Sequence, residues 1–242
     1  MFAARMRRLH GSIRSRGLLG SIRHLPQAIA ARLPAARRER LADLAADREV
    51  DRAYGIDTAG NLDQADLMID NPNSVFAARY QPIRPERFAE AMSCIPGPVD
   101  GFTFIDFGSG KGRALVLATN YPFRRIVGVE LCPELHAVAL RNARATTGIH
   151  KHCSVIEPLC SDVLAFELPV DPLVIFMYNP FDARVMGPLR SRVEESVRHF
   201  PRQVYVVYCN PVCATIWEGS PLFRSLKVDD RFAVYTTVSA AV

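Results

Sequence analysis

The chain has 242 residues, 49% of them hydrophobic and 23% charged, which is typical of a globular protein with one large core and an extension. The net charge of +5 is uneven, because residues 1–50 hold 11 arginines against four acidic residues, a charge of +7 that leaves −2 for the remaining 192. No run of 18 apolar residues and no signal-peptide core is present, so we expect neither a membrane span nor secretion. Six cysteines without a C-x-x-C pair predict reduced thiols, no metal site and a cytoplasmic protein.

Residues 1–50 are predicted to form an Arg-rich arm that is partly helical or disordered. Within it, residues 1–38 contain nine arginines and no acidic residue, interleaved with small apolar side chains. Such a segment can be a solvated tail, an anchor that contacts an anionic surface, or an organelle transit peptide. We favour the tail, and the other two interpretations stay open.

Residues 51–100 are predicted to be a lead-in segment that covers the site. Helical spacing over residues 37–53 runs into a loop with two glycines at residues 54–60. Two prolines after Tyr80, at positions 82 and 85, enforce extended backbone ahead of a short helix over residues 86–94.

Strand and helix patterns alternate through residues 101–242, which predicts a parallel sheet with crossover helices. The predicted strands are 103–107, 125–130, 153–157, 173–178 and 203–209, and the predicted helices are 113–121, 133–146 and 183–199. The last two extended runs, 222–228 and 232–238, are joined by three residues, too few for a crossover, so they must be antiparallel. The fold class is therefore α/β: a doubly wound, mostly parallel seven-stranded sheet ending in an antiparallel hairpin.

The first predicted strand leads into Asp106-Phe107-Gly108-Ser109-Gly110-Lys111-Gly112-Arg113. Glycines at alternate positions allow positive φ and close approach of a ligand, and the next helix directs its free amides to the same place. A P-loop is excluded because Gly112 stands where Ser or Thr would bind magnesium. The third glycine arrives one residue early for G-x-G-x-x-G, which weakens a nicotinamide-binding interpretation without eliminating it. A tight turn with no ligand is the remaining alternative.

This stretch resembles motif I, [DE]-x-G-x-G-x-G, of the class I S-adenosylmethionine (SAM) methyltransferases, and the similarity extends from about Tyr80 to the C-terminus. The resemblance implies SAM as cofactor. Asp106 would organise the glycine loop and the methionine amine, with Gly108, Ser109, Gly110 and Gly112 forming the cradle. Glu130, 20 residues after Gly110, would bind the ribose hydroxyls, and Asp162, after the third strand, the adenine amino group. A surface carboxylate is the alternative for Glu130, and a helix N-cap for Asp162.

The fourth predicted strand ends in Tyr178-Asn179-Pro180-Phe181, where the sheet opens onto the ligand crevice. This tetrapeptide is similar to the [DNS]-P-P-[YFW] motif of the amino-methylating branches, with one proline missing and Tyr178 added. The resemblance implies that Asn179 and a prolyl carbonyl accept hydrogen bonds from the attacking N–H groups while Phe181 packs on the acceptor. Tyr178, Asn179 and Phe181 are the predicted catalytic residues. The alternative is that Asn-Pro only turns the chain out of the strand.

Tyr80-x-Pro-x-x-Pro ahead of motif I is similar to a segment of the histone and ATP-synthase-subunit type lysine methyltransferases. The resemblance implies that Tyr80 covers the cofactor and that the acceptor is a nitrogen of a protein lysine or another amine. Packing is the alternative role for Tyr80. Other functions stay open: methylation of an oxygen or carbon of a small molecule, NAD(P)-dependent reduction, and a non-catalytic nucleotide-binding module.

Overall fold

A seven-stranded sheet forms the centre of the protein, whose computed structural model describes residues 34–63, 78–146, 152–153 and 155–238. The strand order is β3-β2-β1-β4-β5-β7-β6. The strands are β1 (Thr103–Phe107), β2 (Arg125–Glu130), β3 (Ile156–Cys160), β4 (Leu173–Tyr178), β5 (Val204–Cys209), β6 (Phe223–Val228) and β7 (Phe232–Thr237). β7 runs antiparallel to both β5 and β6, and the other pairings are parallel. The predicted sheet with its antiparallel ending is therefore confirmed.

Six described helices flank the sheet: α1 (Pro34–Tyr54), α2 (Pro85–Met92), α3 (Arg113–Ala118), α4 (Pro133–Ala145), α5 (Ala183–His199) and α6 (Ala214–Glu218). Central strands β1 and β5 are buried along their whole length, because they are covered on both faces. Alternate residues of each strand face opposite layers, so Phe104 and Phe176 pack with Phe88 of α2. Ile105 and Ile175 face the other core with Trp217 of α6.

Two elements differ from the sequence-based prediction. β3 begins at Ile156 rather than at residue 153, since its register with β2 aligns Ile126 with Ile156 and Glu130 with Cys160. This edge strand is only partly buried, so its hydrophobic pattern marked its bounds poorly. The five-residue α6 was not predicted, because one helical turn carries too little periodicity to recognise.

Helix α1 continues through residue 50, the predicted end of the Arg-rich arm, and ends at Tyr54. Residues 1–33 and the anionic-surface contact predicted for them lie outside the described residues. Among the helices that the structure does describe, none is both long and apolar enough to cross a bilayer.

The sheet reverses its order at β1, which pairs with β2 on one side and with β4 on the other. The carboxyl ends of such strands diverge and leave a crevice, the usual ligand position in a doubly wound fold. The glycine loop (residues 108–112) and the turn after β4 (residues 179–181, here the acceptor turn) both lie at this edge.

Candidate functional site

A cavity opens at the carboxyl ends of β1, β2 and β4, and most of the predicted site residues line it. These are Tyr80, Asp106, Gly108, Ser109, Gly110, Glu130, Asp162, Tyr178 and Phe181. Two predicted residues, Gly112 and Asn179, are not among the lining residues. The structure thus brings together side chains from five separate parts of the chain.

The glycine loop is shaped by close contacts that a side chain would block. A Cβ on Gly108 would lie 2.5 Å from Cβ of Pro180, and one on Gly110 would lie 2.5 Å from the Tyr80 ring. Both glycines have positive φ, +80° and +55°. Gly112, with φ 84°, precedes α3, and a Cβ there would lie 3.2 Å from Cβ of Ala139. Gly112 therefore serves the packing of α3 on α4, while Gly108 and Gly110 shape the cavity wall.

Two carboxylates, Asp106 and Glu130, are buried together at the cavity wall. Glu130 Oε2 accepts a hydrogen bond from Gly110 N at 2.7 Å, and Oε1 accepts one from Cys132 N at 2.8 Å. Burial raises the pKa of Glu130, while these backbone amides act to lower it. Burial, and to a lesser extent the neighbouring Glu130, raise the pKa of Asp106 well above its usual value. The pair is electrostatically unfavourable by itself, so the site favours a cationic ligand.

Asp162 stands just after β3 and lines the same cavity. Its Oδ1 accepts a hydrogen bond from Leu164 N at 2.9 Å, and its carbonyl accepts from Ala165 N and Phe166 N. Asp162 therefore caps a turn rather than a helix. The cap uses the Oδ1 atom of the carboxylate. That Asp162 binds adenine stays a prediction.

Tyr80 lies against the glycine loop. Its hydroxyl donates to the Thr58 carbonyl at 2.7 Å, and its backbone forms a two-way bridge with Leu62. Lys111 Nζ lies 5.5 Å from the ring centroid. The Tyr80 ring borders the cavity. That it covers a cofactor remains a prediction.

The sequence-based prediction missed the group that ties the lead-in segment to the glycine loop. The Arg113 side chain, only 2% exposed, donates from Nη1 to Asp47 Oδ1 at 2.8 Å, from Nη2 to Asp51 Oδ1 at 3.1 Å and from Nε to Thr58 Oγ1 at 2.6 Å. We call these four residues the Arg113 cluster. Two aspartates four residues apart share one face of α1, which was the available signal that they face a common partner.

Asn142 of α4 provides a second tie between the lead-in segment and the glycine loop. Its Nδ2 donates to the carbonyls of Asp57 and Lys111, and its Oδ1 accepts from Asp57 N at 2.8 Å. The segment that carries Tyr80 is thus joined to the cofactor side of the cavity by buried polar contacts at two places.

The acceptor turn is held by hydrogen bonds within the protein. Asn179 has φ 41°, and its Oδ1 accepts a hydrogen bond from the Tyr208 hydroxyl at 3.3 Å. The Pro180 carbonyl accepts from Ala78 N at 2.8 Å. The same left-handed Asn-Pro turn follows β5, where Asn210 has φ 50°. Each oxygen predicted to receive an attacking N–H group thus accepts one hydrogen bond within the protein and keeps a second lone pair, so the catalytic role of Asn179 stays a prediction beside its turn-forming role.

Tyr178, in contrast, lies at the cavity with Phe181. Burial raises the pKa of the Tyr178 phenol, while the nearby positive charge of Arg87 acts to lower it. The phenol is therefore neutral near pH 7 and can orient a bound group, but it cannot serve as a base.

No protein-family model matches the chain, and no curated protein matches it. The structure is similar to an RNA methyltransferase from Salinibacter ruber in complex with S-adenosyl-L-homocysteine, with 19% identity, a TM-score of 0.46 and coverage of 65% of this chain and 92% of that one. It is also similar to a ribosomal protein L11 methylase from Lactobacillus delbrueckii subsp. bulgaricus, with 14% identity, a TM-score of 0.45 and coverage of 67% and 81%.

A third similar structure is the 16S rRNA N2 G1207 methyltransferase of T. thermophilus in complex with AdoMet and guanosine, with 19% identity, a TM-score of 0.46 and coverage of 64% of this chain and 43% of that one. The sheet order, with β7 inserted antiparallel between β5 and β6, and the glycine loop after β1 are both observed directly in this chain. The chain therefore has the fold of the class I SAM-dependent methyltransferases.

Proposed function

We propose that the protein is a SAM-dependent methyltransferase. The observation that carries this proposal is the buried pair Asp106 and Glu130 beside a positive-φ glycine loop, in a cavity at the switch point of the sheet. SAM carries a positively charged sulfonium and an ammonium group, and it supplies an electrophilic methyl group when bound. A cavity lined by buried carboxylates suits such a ligand better than it suits a pyrophosphate, whose negative charge these carboxylates would repel.

The residues of the cavity fit the parts of this cofactor. The Asp106 carboxylate, for which the described residues supply no hydrogen-bond donor, is suited to bind the ammonium group. Each Glu130 oxygen accepts one backbone amide and keeps a lone pair that can accept a ribose hydroxyl. Gly110 lets the Tyr80 ring close over the loop.

Methyl transfer needs positioning more than acid–base catalysis. The lone pair of the acceptor forms the new bond to carbon, the electron pair of the old bond stays on sulfur, and a proton of the acceptor passes to solvent. Alignment supplies most of the rate in such a displacement. In this proposal Tyr178 and Phe181, which line the cavity, orient the acceptor and exclude water.

The identity of the acceptor atom is a finer part of the proposal. Nitrogen, in a protein lysine or another amine, is the atom indicated by the resemblance of Asn179-Pro180-Phe181 to the amino-methylating motif. Transfer to an oxygen or carbon of a small molecule is the second candidate. It is supported by the position of Asn179, which is not among the described residues that line the cavity.

Isothermal titration of the full chain with SAM, S-adenosylhomocysteine and NAD(P) tests the proposal. We expect SAM and S-adenosylhomocysteine to bind, and binding of NAD(P) without SAM would contradict the proposal. Gly110→Val should abolish SAM binding, because the new side chain displaces the Tyr80 ring. Gly187→Val is the matched control, since a Cβ there meets nothing within 4 Å. Thermal unfolding checks that both variants are folded. Wild-type affinity of Gly110→Val for SAM would then refute the assignment of the glycine loop to the cofactor site.

A further inference from the structure

The groups around the cavity are separated by charge. Three carboxylates, those of Asp106, Glu130 and Asp162, line its cofactor side. Two arginines lie beside the acceptor turn: Arg79 lines the cavity, and Arg87, which is not among its lining residues, lies near Tyr178, where its positive charge acts to lower the pKa of the phenol. The backbone next to Arg79 is held at this position, because Ala78 N donates to the Pro180 carbonyl at 2.8 Å.

The described residues do not neutralise these two arginines. Among the ion pairs found in the described ranges, none includes Arg79 or Arg87. Glu90, on the same helix as Arg87, is occupied by Arg231, whose two Nη atoms donate to its two oxygens at 2.6 and 2.7 Å. Asp182, after the acceptor turn, accepts from Arg184 N at 2.9 Å and caps α5.

Arg113 also lines the cavity, but it has ion-pair partners. Its guanidinium forms ion pairs with Asp47 and Asp51 at 2.8 and 3.1 Å. Within the described ranges, the arginines near the cavity without an ion-pair partner are therefore Arg79, which lines it, and Arg87, which lies close to Tyr178.

We infer that the methyl acceptor is a small molecule bearing an oxyanion, a carboxylate or a phosphate, which Arg79 and Arg87 bind while Tyr178 contacts the group to be methylated. This inference rests on the proposed function. Guanidinium groups bind such oxyanions with paired, charge-assisted hydrogen bonds. The same two charges repel a protonated lysine side chain, so the inference narrows the acceptor away from protein lysines.

The size of the acceptor is indicated by the number of cationic groups at the cavity. Nucleic-acid binding uses many cationic contacts along a phosphate backbone. Two arginines near one cavity suit a single anionic group. A small anionic molecule therefore matches the cavity better than a polynucleotide does.

The identity of the acceptor is tested by incubating the full chain with methyl-labelled SAM and an extract of the source cells, separated by ultrafiltration into small molecules and macromolecules. We expect the label to enter a small molecule that is retained on an anion-exchange resin. Treatment with alkaline phosphatase then separates the two sources of charge, since it releases a phosphorylated product from the resin and leaves a carboxylate retained.

Variants of the two arginines test the site itself. Arg79→Glu and Arg87→Glu should each lower kcat/KM for the acceptor by about 10- to 100-fold, because each variant loses a charge-assisted hydrogen bond to it. SAM affinity should not change. Arg79→Lys and Arg87→Lys should retain part of the activity, because lysine keeps the positive charge but lacks the paired N–H donors of the guanidinium group. Arg224→Glu is the matched control, since Arg224 is exposed on β6 outside the cavity lining. Thermal unfolding checks that every variant is folded.

Label in protein or nucleic acid, label in a small-molecule product other than unreacted SAM that the resin does not retain, or unchanged kcat/KM in both charge-reversed variants would overturn the inference. In each of these cases SAM still binds and its methyl group is still transferred. Absence of SAM binding together with absence of label in every fraction would instead contradict the proposed function.

Discussion

The two sides of the cavity are stabilised by different forces. On the glycine-loop side, the buried Arg113 and Glu130 have ion-pair or charge-assisted hydrogen-bond partners, whereas the described residues supply no hydrogen-bond donor to the buried Asp106. On the acceptor side, two left-handed Asn-Pro turns are joined by longer, neutral hydrogen bonds, 3.3 Å from Tyr208 to Asn179 and 3.2 Å from Cys213 to Tyr208. Substitutions should therefore affect stability most on the glycine-loop side, and turnover most on the acceptor side.

The largest effect is expected for Arg113→Ala, which removes the cation of the Arg113 cluster and leaves Asp47 and Asp51 buried without it. We expect the free energy of unfolding to fall by about 3–5 kcal/mol in denaturant titrations. Arg124→Ala, which breaks a pair with Asp171 in which the Arg124 side chain is 65% exposed, is the control and should cost less than about 1 kcal/mol. Equal losses of unfolding free energy in the two variants would show that the stability of the glycine-loop side does not depend on the buried Arg113 charge.

Asp106→Asn should separate binding from stability. We expect SAM affinity to fall by about 10- to 100-fold in calorimetry, since the ammonium group loses a charged partner. The ligand-free variant should unfold at a higher temperature than the wild type at neutral pH, because the pKa of Asp106 is raised in the folded protein. Unchanged SAM affinity would remove Asp106 from the cofactor site.

The raised pKa of Asp106 also sets how the difference in unfolding temperature between the wild type and Asp106→Asn depends on pH. The folded-state pKa of Asp106 lies above its unfolded value of about 3.9, so the stabilising contribution of the protonated group is complete below that value. It is lost as pH rises through the raised pKa. Melting curves of the wild type and Asp106→Asn should therefore converge at low pH and separate as pH rises, and a constant difference would contradict the assignment.

Asn179→Ala and Asn179→Gly distinguish the two roles of the acceptor turn. The alanine variant should lose about 1–2 kcal/mol of stability, since it adopts φ 41° less readily than asparagine. Glycine tolerates this backbone conformation. If Asn179 acts only through the turn, Asn179→Gly keeps the wild-type turnover of labelled SAM. If its amide orients the acceptor, both variants lose turnover while SAM affinity stays intact.

The smallest effect is expected for Tyr208→Phe, which removes the hydroxyl shared by Asn179 and Cys213. The loss should be about 0.5–1.5 kcal/mol in denaturant titrations, typical of neutral hydrogen bonds. SAM affinity should not change, because Tyr208 does not line the cavity. Reduced SAM affinity in this variant would show that the two sides of the cavity are coupled.

Most of the fold was predictable because local patterns and short connections restrict the topology. The apolar run of β4 and the three-residue link before β7 each allowed a single interpretation. Edge strand β3 was placed too early, since a partly exposed strand carries a weaker pattern. The glycine loop, Glu130 and Tyr178 were found from their positions after strands, which the parallel sheet brings to one edge.

The sequence by itself determined the order of strands and helices, the positive-φ loop and the carboxylates at the strand ends, because these depend on neighbouring residues and on the regular geometry of the sheet. Only the tertiary structure decided what Arg113 pairs with, where Tyr80 lies and which groups already occupy Asn179 and Pro180. The contact of Arg113 with Asp47 spans 66 residues, and no local pattern encodes contacts at such separations. The inference of a small anionic acceptor likewise depends on the tertiary structure, which brings Arg79 to the cavity and Arg87 close to Tyr178.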